Sequence, residues 1–422
     1  MLMSKKQFSE FKLSAQEKSA PEHKKTVKRA RTLDTSLGDV CTLASIFRTI
    51  PLSTVLDTLA AESVFNQRER DLPHWLMTYY VAAMALYPSS NYVAVAEKLA
   101  ASYKQINGPL SELKIPSSGA LTMARQRLPW QVIQRLFQTV SVPITTEATP
   151  GAFYHHLRLQ SFDGSTIDLP DSAENGESYG YPSNALGRGA FPQLRCVTLV
   201  ENGSRAVIDF EEGPGDKRSS EIKLARPIIE RLKSGTLNMA DRLFPGKELW
   251  DLGISKGAHL LWRVKSDVRL DIDQELPDGS YLSRFCGHSD CKGKKRKNGT
   301  LVRVIAYKIP GKNETFRLIT SLLDADAYPA EELARLYPQR WDVETVYKDL
   351  KFTLPEGKQI IRSKSPEMVK QEIYGMLLAH RAIRVTMLDA AVYGNVHPDS
   401  ISLRRTVEVI KSNLPEFGKF SP

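Results

Sequence analysis

Tyr337-Pro338-Gln339-Arg340-Trp341-Asp342-Val343-Glu344, running on to Lys348-Asp349-Leu350-Lys351, is the stretch whose reading decides the fold. At roughly 100° per residue, Arg340, Glu344 and Lys351 fall about −60°, −20° and −40° from Tyr337, which predicts one narrow helical face for all four. Leu336, Val343, Tyr347 and Leu350 make a second, apolar stripe roughly 80° away, as expected of a helix seated on a core. The polar face then stands at the edge of that core. A carboxylate flanked by two cations and a phenol suits a site that holds a metal and grips phosphate, and the rest of the chain has to supply the other ligands.

The chain around this stretch has 422 residues, enough for two or three domains with their own cores. A composition of 41% hydrophobic and 25% charged residues excludes wholesale disorder. Its 58 basic and 48 acidic side chains give +10. That surplus points to a polyanionic partner, because phosphate neutralisation supplies much of non-specific nucleic-acid affinity. Cys41, Cys196, Cys286 and Cys291 are too few and too scattered for a disulfide framework, so a reducing compartment is expected. Met1–Lys6 leads into polar sequence without a secretory signal, and no run of about 18 apolar residues follows. The expectation is a soluble cytoplasmic protein with no membrane partner.

Residues 1–35 form a basic arm, with nine Lys or Arg against three acids up to Arg31, expected to be flexible and able to clamp DNA. Residues 36–145 read as a helical N-terminal domain, with apolar residues at three and four spacing in Val40–Phe47, Leu52–Leu59, Trp75–Leu86 and Val93–Leu99. Asn66–Asp71 is a charged break. Ile115-Pro116-Ser117-Ser118 offers a turn and cap before a helix ending at Arg127, and Arg125 and Arg127 suit a DNA-facing helix as well as the basic face of a bundle. Thr145–Gly151 is a linker by composition.

From there strands alternate with helices, predicting an α/β domain over 152–365. Leu157–Phe162 reads as a strand closed by Asp163, Leu237–Ala240 as one closed by Asp241, with further strands at Leu194–Val200, Arg205–Phe210 and His259–Val264 and helices near Glu221–Lys233 and Lys247–Lys256. Residues 267–316 interrupt this pattern as a β-rich, basic insertion carrying Lys292–Lys297, a run able to track a DNA backbone. Cys286, His288 and Cys291 lack a fourth zinc ligand and the usual spacing. A C-terminal helical segment occupies 366–422.

Two aspartates at strand ends and a glutamate on a later helix converge if those strands are neighbours, and three carboxylates bind a hard divalent cation through oxygen. Among 48 acids some such triplet is inevitable, so the joint pattern matters and not any one member. That pattern is strand-Asp163-Gly-Ser-Thr, strand-Asp241-Arg242-Leu243-Phe244 and Tyr337-x2-Arg340-x3-Glu344-x6-Lys351. It resembles the three signature regions of the insertion-sequence-4 family of bacterial DDE transposases, as do Leu169-Pro170-Asp171…Asn175…Tyr179-Gly180 and the residues from Gly257 to Lys265.

The resemblance implies a ribonuclease-H-like catalytic core interrupted by a β-rich insertion and preceded by an all-helical DNA-binding domain. It implies Asp163, Asp241 and Glu344 as the metal-binding catalytic triad, Mg²⁺ (or Mn²⁺) as cofactor, and Tyr337, Arg340, Lys351 and Arg242 as DNA contacts. The implied reaction is cut-and-paste transposition. Hydrolysis at the element end frees a 3′-OH, a hairpin intermediate follows, and the strand is then transferred into target DNA. Terminal inverted repeats and target DNA are the expected partners, in a homodimer or higher synaptic assembly associated with the nucleoid. A non-catalytic DNA-binding regulator derived from such an enzyme, and an unrelated Mg²⁺ nuclease, are the alternatives. Trp262 and Trp341 are indoles available to stack a base but are expected in the core.

Overall fold

A computed structural model describes residues 44–64, 71–107, 114–184, 187–287, 299–308, 315–356 and 361–412. The basic arm, residues 66–70 of the charged break, His288, Cys291 and Lys292–Lys297 lie outside the described residues. The chain divides into two compact units, one from Ser141 to Asp349 and the other joining the residues up to Val140 with those from Leu350 onward. Among the described residues no helix is long and apolar enough to cross a membrane.

The unit from Ser141 to Asp349 is built on one mixed sheet. Its strands are β1 (Phe153–Tyr154), β2 (Leu157–Asp168), β5 (Gln193–Glu201), β6 (Ala206–Pro214), β7 (Thr236–Ala240), β8 (His259–Val264), β9 (Gln274–Glu275), β10 (Tyr281–Phe285), β11 (Thr300–Lys308) and β12 (Thr315–Thr320), while β3 (Ser183–Asn184) and β4 (Gly187–Arg188) pair apart as a short ribbon. The order across the sheet is β6-β5-β2-β7-β8-β12-β11-β10-β9, with β1 beside β2. β5 is antiparallel to both of its neighbours, β6 and β2, and β2, β7 and β8 are parallel. Parallel neighbours need a crossover, and the helix Lys247–Ser255 supplies the one between β7 and β8. The strands from the 267–316 region extend this same sheet through the β11–β12 pairing.

Alternation along the strands sorts two cores. Phe162, Ala240, Leu260 and Trp262 pack with the helices Glu221–Glu230 and Lys247–Ser255. Leu157, Leu159, Leu237, Met239 and Leu261 face Leu333, Leu336 and Tyr337. In the first core Trp250 and Trp262 are fully buried, their ring centroids 5.3 Å apart and edge-on, with Phe162 5.7 Å from Trp262. Truncating such an indole to Ala costs about 3–5 kcal/mol. Trp262 is therefore core, as expected, whereas Trp341 is exposed and corrects the expectation for that residue.

Two other expectations are corrected here. Asp163 does not close its strand. β2 runs twelve residues because β5 goes on pairing with it from Asp163↔Thr198 to Asp168↔Gln193, so the Asp163-Gly164 pair is ladder and not turn. Thr145 is no free linker residue, since its N–H and hydroxyl both bond the buried Glu201 carboxylate.

The second unit is helical. It contains Ala44–Thr49, Leu52–Ala61, His74–Leu86, Tyr92–Asn107, Ser118–Arg127 and Trp130–Val140, together with Pro366–Tyr393 and Leu403–Ser412. His74–Leu86 and Pro366–Tyr393 are buried nearly all round and pack on each other. Gly375 is required at that approach, because a Cβ there would stand 2.5 Å from Val81 Cγ1. Ser117 caps its helix through Ala120 N–H at 3.3 Å. Arg125 on this helix is fully buried, donating to Gln371 (3.0 Å), Tyr92 (3.1 Å) and Ser363 (3.2 Å). It is therefore spent inside the bundle and unavailable to phosphate, while Arg127 is exposed.

Candidate active site

The parallel ladder between β2 and β7 ends at Phe162↔Ala240, and Asp163 and Asp241 are the next residue on each strand. Neighbouring strands lie about 4.8 Å apart. Alternation puts both on the face shared by Leu159, Leu237 and Met239, which is the face covered by Leu333, Leu336 and Tyr337. Carboxyl ends of parallel strands are the usual ligand sites of open α/β sheets. Asp163 Oδ1 accepts from the Gly164 N–H (2.8 Å), and Asp241 Oδ1 from the Leu243 N–H (2.7 Å), an Asx turn that ends β7.

Opposite them the chain is not one regular helix. Ala330–Leu336 is α-helical, Tyr337–Trp341 is 3₁₀, Asp342–Lys348 is α-helical again, and Asp349–Thr353 is a π-helical turn. Pro338 falls at the start of the 3₁₀ turn without expelling Tyr337 from helical geometry, φ −53° and ψ −36°. In a 3₁₀ turn residues three apart eclipse, so Tyr337 and Arg340 align better than an α-helix would align them. The step along this stretch is therefore not a constant 100°, and of the four residues Arg340 and Glu344 are the two whose side chains bond each other. Lys351 belongs to the unit that begins at Leu350.

Arg340 is buried between two carboxylates, 3.1 Å from Asp163 Oδ2 and 2.6 Å from Glu344 Oε1. It thus links the strand residue to the helix residue. Two tyrosines fasten the same elements. Tyr337 donates to the carbonyl of Ala240 at 3.1 Å, the residue before Asp241, and Tyr347 donates to the carbonyl of Asp163 itself at 2.6 Å. Burial pushes both phenols well above the ordinary range. Arg242 lies exposed in the turn after β7.

Sequence reasoning placed Tyr347 only in an apolar stripe and missed Glu221 altogether. Glu221 opens the helix Glu221–Glu230 behind the Ser220 cap, and its carboxyl lies over Gly164, where a Cβ would stand 2.1 Å from Glu221 Cδ. The signal that could have found it is a glutamate in a capped first turn opposite a strand glycine. The Asp163 carboxyl is pushed up from 3.8 to about 6. Burial is the main cause; the charges of Asp241 and Glu221 add to it, while the Gly164 N–H and Arg340 oppose it. Glu221 is raised as well, by burial first and then by Asp241, against Arg195. Among the described residues no three His, Cys, Asp or Glu side chains stand together closely enough to hold an ion.

Two half-buried aspartates thus stand one residue beyond the last rung of a parallel pair, with Glu344 joined to the first through Arg340, and the class to which such a chain belongs is that of the DDE transposases. The chain belongs to the insertion-sequence-4 family of DDE transposases, enzymes that cleave DNA and transfer its strands: it matches the family described as Transposase DDE domain over residues 155–381 and that described as Insertion element 4 transposase N-terminal over residues 38–138. It is similar to the transposase InsG for insertion sequence element IS4 of Escherichia coli K12, 27% identical over 391 residues that make up 92% of this chain and 84% of that protein. The putative transposase InsZ of the same organism is 27% identical over 151 residues, 36% of this chain and 50% of that one. A piggyBac transposase synaptic complex with hairpin DNA superposes with a TM-score of 0.44 at 13% identity, covering 90% of this chain and 82% of that one.

Proposed function

We propose that the chain carries out cut-and-paste transposition, with Asp163, Asp241 and Glu344 as its catalytic carboxylates and Mg²⁺, or Mn²⁺ in its place, as cofactor. The observation that supports this best is the pair Asp163 and Asp241 one step beyond the Phe162↔Ala240 rung, with Glu344 tied to Asp163 through Arg340. The donor chemistry fits a hard cation: all the atoms are carboxylate oxygens, and the ionised form of Asp163 is disfavoured by burial and by its acidic neighbours. Arg340 meets part of that demand, and ion loading requires Glu344 to leave it. When bound, such ions activate the attacking water or 3′-hydroxyl and neutralise charge at phosphorus.

The chain itself supplies position. Asp163 and Asp241 stay put because Tyr347 and Tyr337 hold the backbone at each. Arg340, once released from Glu344, is placed to take a phosphate oxygen, and Arg242 and Lys351 are further DNA contacts. The Tyr337 hydroxyl is engaged with Ala240, so its part is to hold the β7 end. Hydrolysis at the element end, hairpin formation on the opposite strand and attack on target DNA are each in-line displacements at phosphorus, so one site serves all three. The β6-β5-β2-β7-β8 order supports a ribonuclease-H-like core, with β9–β11 as its β-rich insertion and the helices of residues 44–140 as a DNA-binding domain. A dimer or higher assembly on the two inverted repeats, working in the cytoplasm on the nucleoid, completes the proposal.

The test uses linear DNA carrying the sequence that flanks the coding region, with Mg²⁺, comparing wild type with Glu344→Ala. End-specific cleavage lost in the variant while end binding survives supports the reading. Binding without cleavage by wild type identifies a regulator, and sequence-indifferent cutting a nuclease.

A further inference from the structure

Glu201-Asn202-Gly203-Ser204-Arg205 joins β5 to β6 and reads as an ordinary polar hairpin turn, yet its side chains point inward. Asn202 is fully buried and every polar atom of its amide is used. Its Oδ1 accepts from the hydroxyl of Ser161 at 2.9 Å, and its Nδ2 donates to the carbonyl of Gln339 at 2.8 Å and to Asp342 Oδ2 at 3.1 Å. Ser161 is on β2, two residues before Asp163; Gln339 immediately precedes Arg340; Asp342 is two residues before Glu344. One amide thus spans from the strand of the first carboxylate to the helix of the third.

The turn that carries Asn202 is itself held. Glu201 is fully buried and accepts from Ile144, Thr145 and Ser204 and pairs with Arg158. Gly203 has φ +82°, and a Cβ there would stand 2.9 Å from that of Ala152, so the turn lies tight on the neighbouring backbone. Arg205 takes the left-handed φ of +56°, uncommon for a residue with a side chain, and closes an ion pair with Asp342 Oδ1 at 2.8 Å. A leucine would fill a similar volume but would leave the Ser161 hydroxyl and the Gln339 carbonyl without this partner, so what holds the amide here is its hydrogen bonds and not packing alone. What an amide adds is direction: it fixes the register of one element against another, and a catalytic constellation tolerates only about 0.5 Å of error.

We propose that Asn202, backed by Arg205, is a positioning residue for catalysis, setting the Gln339–Asp342 turn against β2 so that Glu344 can close on Asp163 and Asp241. This rests on the reading of Glu344 as the third metal-binding carboxylate. The test compares the full chain with Asn202→Asp, Asn202→Leu, Arg205→Ala and Glu344→Gln. The measurements are Mn²⁺ binding by calorimetry without DNA, binding of the flanking-sequence duplex, the Mn²⁺ concentration for half-maximal cleavage, the cleavage rate at saturating Mn²⁺, and thermal melting.

Asn202→Asp sets a carboxylate against Asp342. It is expected to keep duplex binding within about threefold, to weaken Mn²⁺ binding and raise the half-maximal Mn²⁺ concentration about tenfold, and to slow cleavage by about 10- to 100-fold, the scale of a misplacement near 1 Å. Pairing it with Asp342→Asn, which lets the amide and carboxylate exchange places, is expected to recover about tenfold in rate. A folded Asn202 variant with wild-type Mn²⁺ binding overturns the proposal, whether its cleavage is normal or slow. Where the Asn202 variants fail to fold, Arg205→Ala decides by the same two readouts, since it breaks the ion pair with Asp342 and leaves the Asn202 amide in place. Wild-type Mn²⁺ binding and cleavage in Glu344→Gln would instead sink the reading of Glu344, whatever Asn202 does.

Discussion

Asp163→Asn should stabilise the metal-free protein while abolishing cleavage. The Asp163 carboxyl sits at about 6 in the folded chain against an ordinary 3.8, so folding opposes its ionisation. A group raised on folding contributes stability that is fully present below the unfolded value and lost as pH rises through the folded one. The loss here accrues between about pH 4 and 6 and is flat above. Roughly two units correspond to about 3 kcal/mol at most. Asparagine keeps an oxygen for the Gly164 N–H and never ionises, so it escapes that loss, less the bond from Arg340 that its NH2 cannot accept. A unit of this size shifts by about 2–4 °C per kcal/mol, so a gain of several degrees is expected at pH 7.5 in EDTA, shrinking toward pH 4. Adding Mn²⁺ should raise the melting temperature of wild type and leave the variant unmoved, because the cation binds the ionised form. Calorimetric melting at three pH values, with and without Mn²⁺, reads all of this. A variant that melts at or below wild type at pH 7.5 in EDTA would refute the claim that burial and neighbouring acids load this carboxylate. This trade of stability for function is common where like charges are gathered for a ligand.

Tyr347→Phe removes the bond to the Asp163 carbonyl and should cost about 1 kcal/mol in denaturant unfolding, with cleavage slowed more than end binding is weakened. Arg340→Ala should lower the slope of log binding constant against log salt by about 0.9, one phosphate's worth of released counterion; an unchanged slope would place the guanidinium permanently between its carboxylates. Asp278→Ala leaves Arg303 fully buried without its carboxylate partner, although the carbonyl of Tyr328 and the hydroxyl of Ser280 still accept from it. Urea unfolding should show a loss of about 3–5 kcal/mol, and a loss under 1 kcal/mol would mean those oxygens suffice.

The acids were legible because their local settings are sequence-local: Asp241 follows a fully buried five-residue strand, and Glu344 lies four residues from Arg340 on one helical turn. Asp163 was singled out for a partly wrong reason. Asp-Gly reads as a turn, but β5 supplies a ladder partner on through Asp168, and pairing with a strand thirty residues away is invisible to a local pattern. Arg125 misled in the same way, since a basic residue in a capped helix looks solvent-facing until Gln371 and Ser363, more than two hundred residues on, close around it.

The sequence by itself determined the residue types, the alternation of strands and helices, and the three-part pattern that marks the family, because propensity, periodicity and motif spacing act over a few neighbours. Only the tertiary structure decided which of those residues meet. It set Asp163 beside Asp241 through the register of β2 on β7, brought Glu221 over Gly164, put Arg340 between two carboxylates instead of toward solvent, and gave a hairpin-turn asparagine the task of joining strand to helix. Those outcomes rest on long-range hydrogen bonds and on burial, which raises the energy of any unpaired charge and so selects the arrangement in which the charges answer one another.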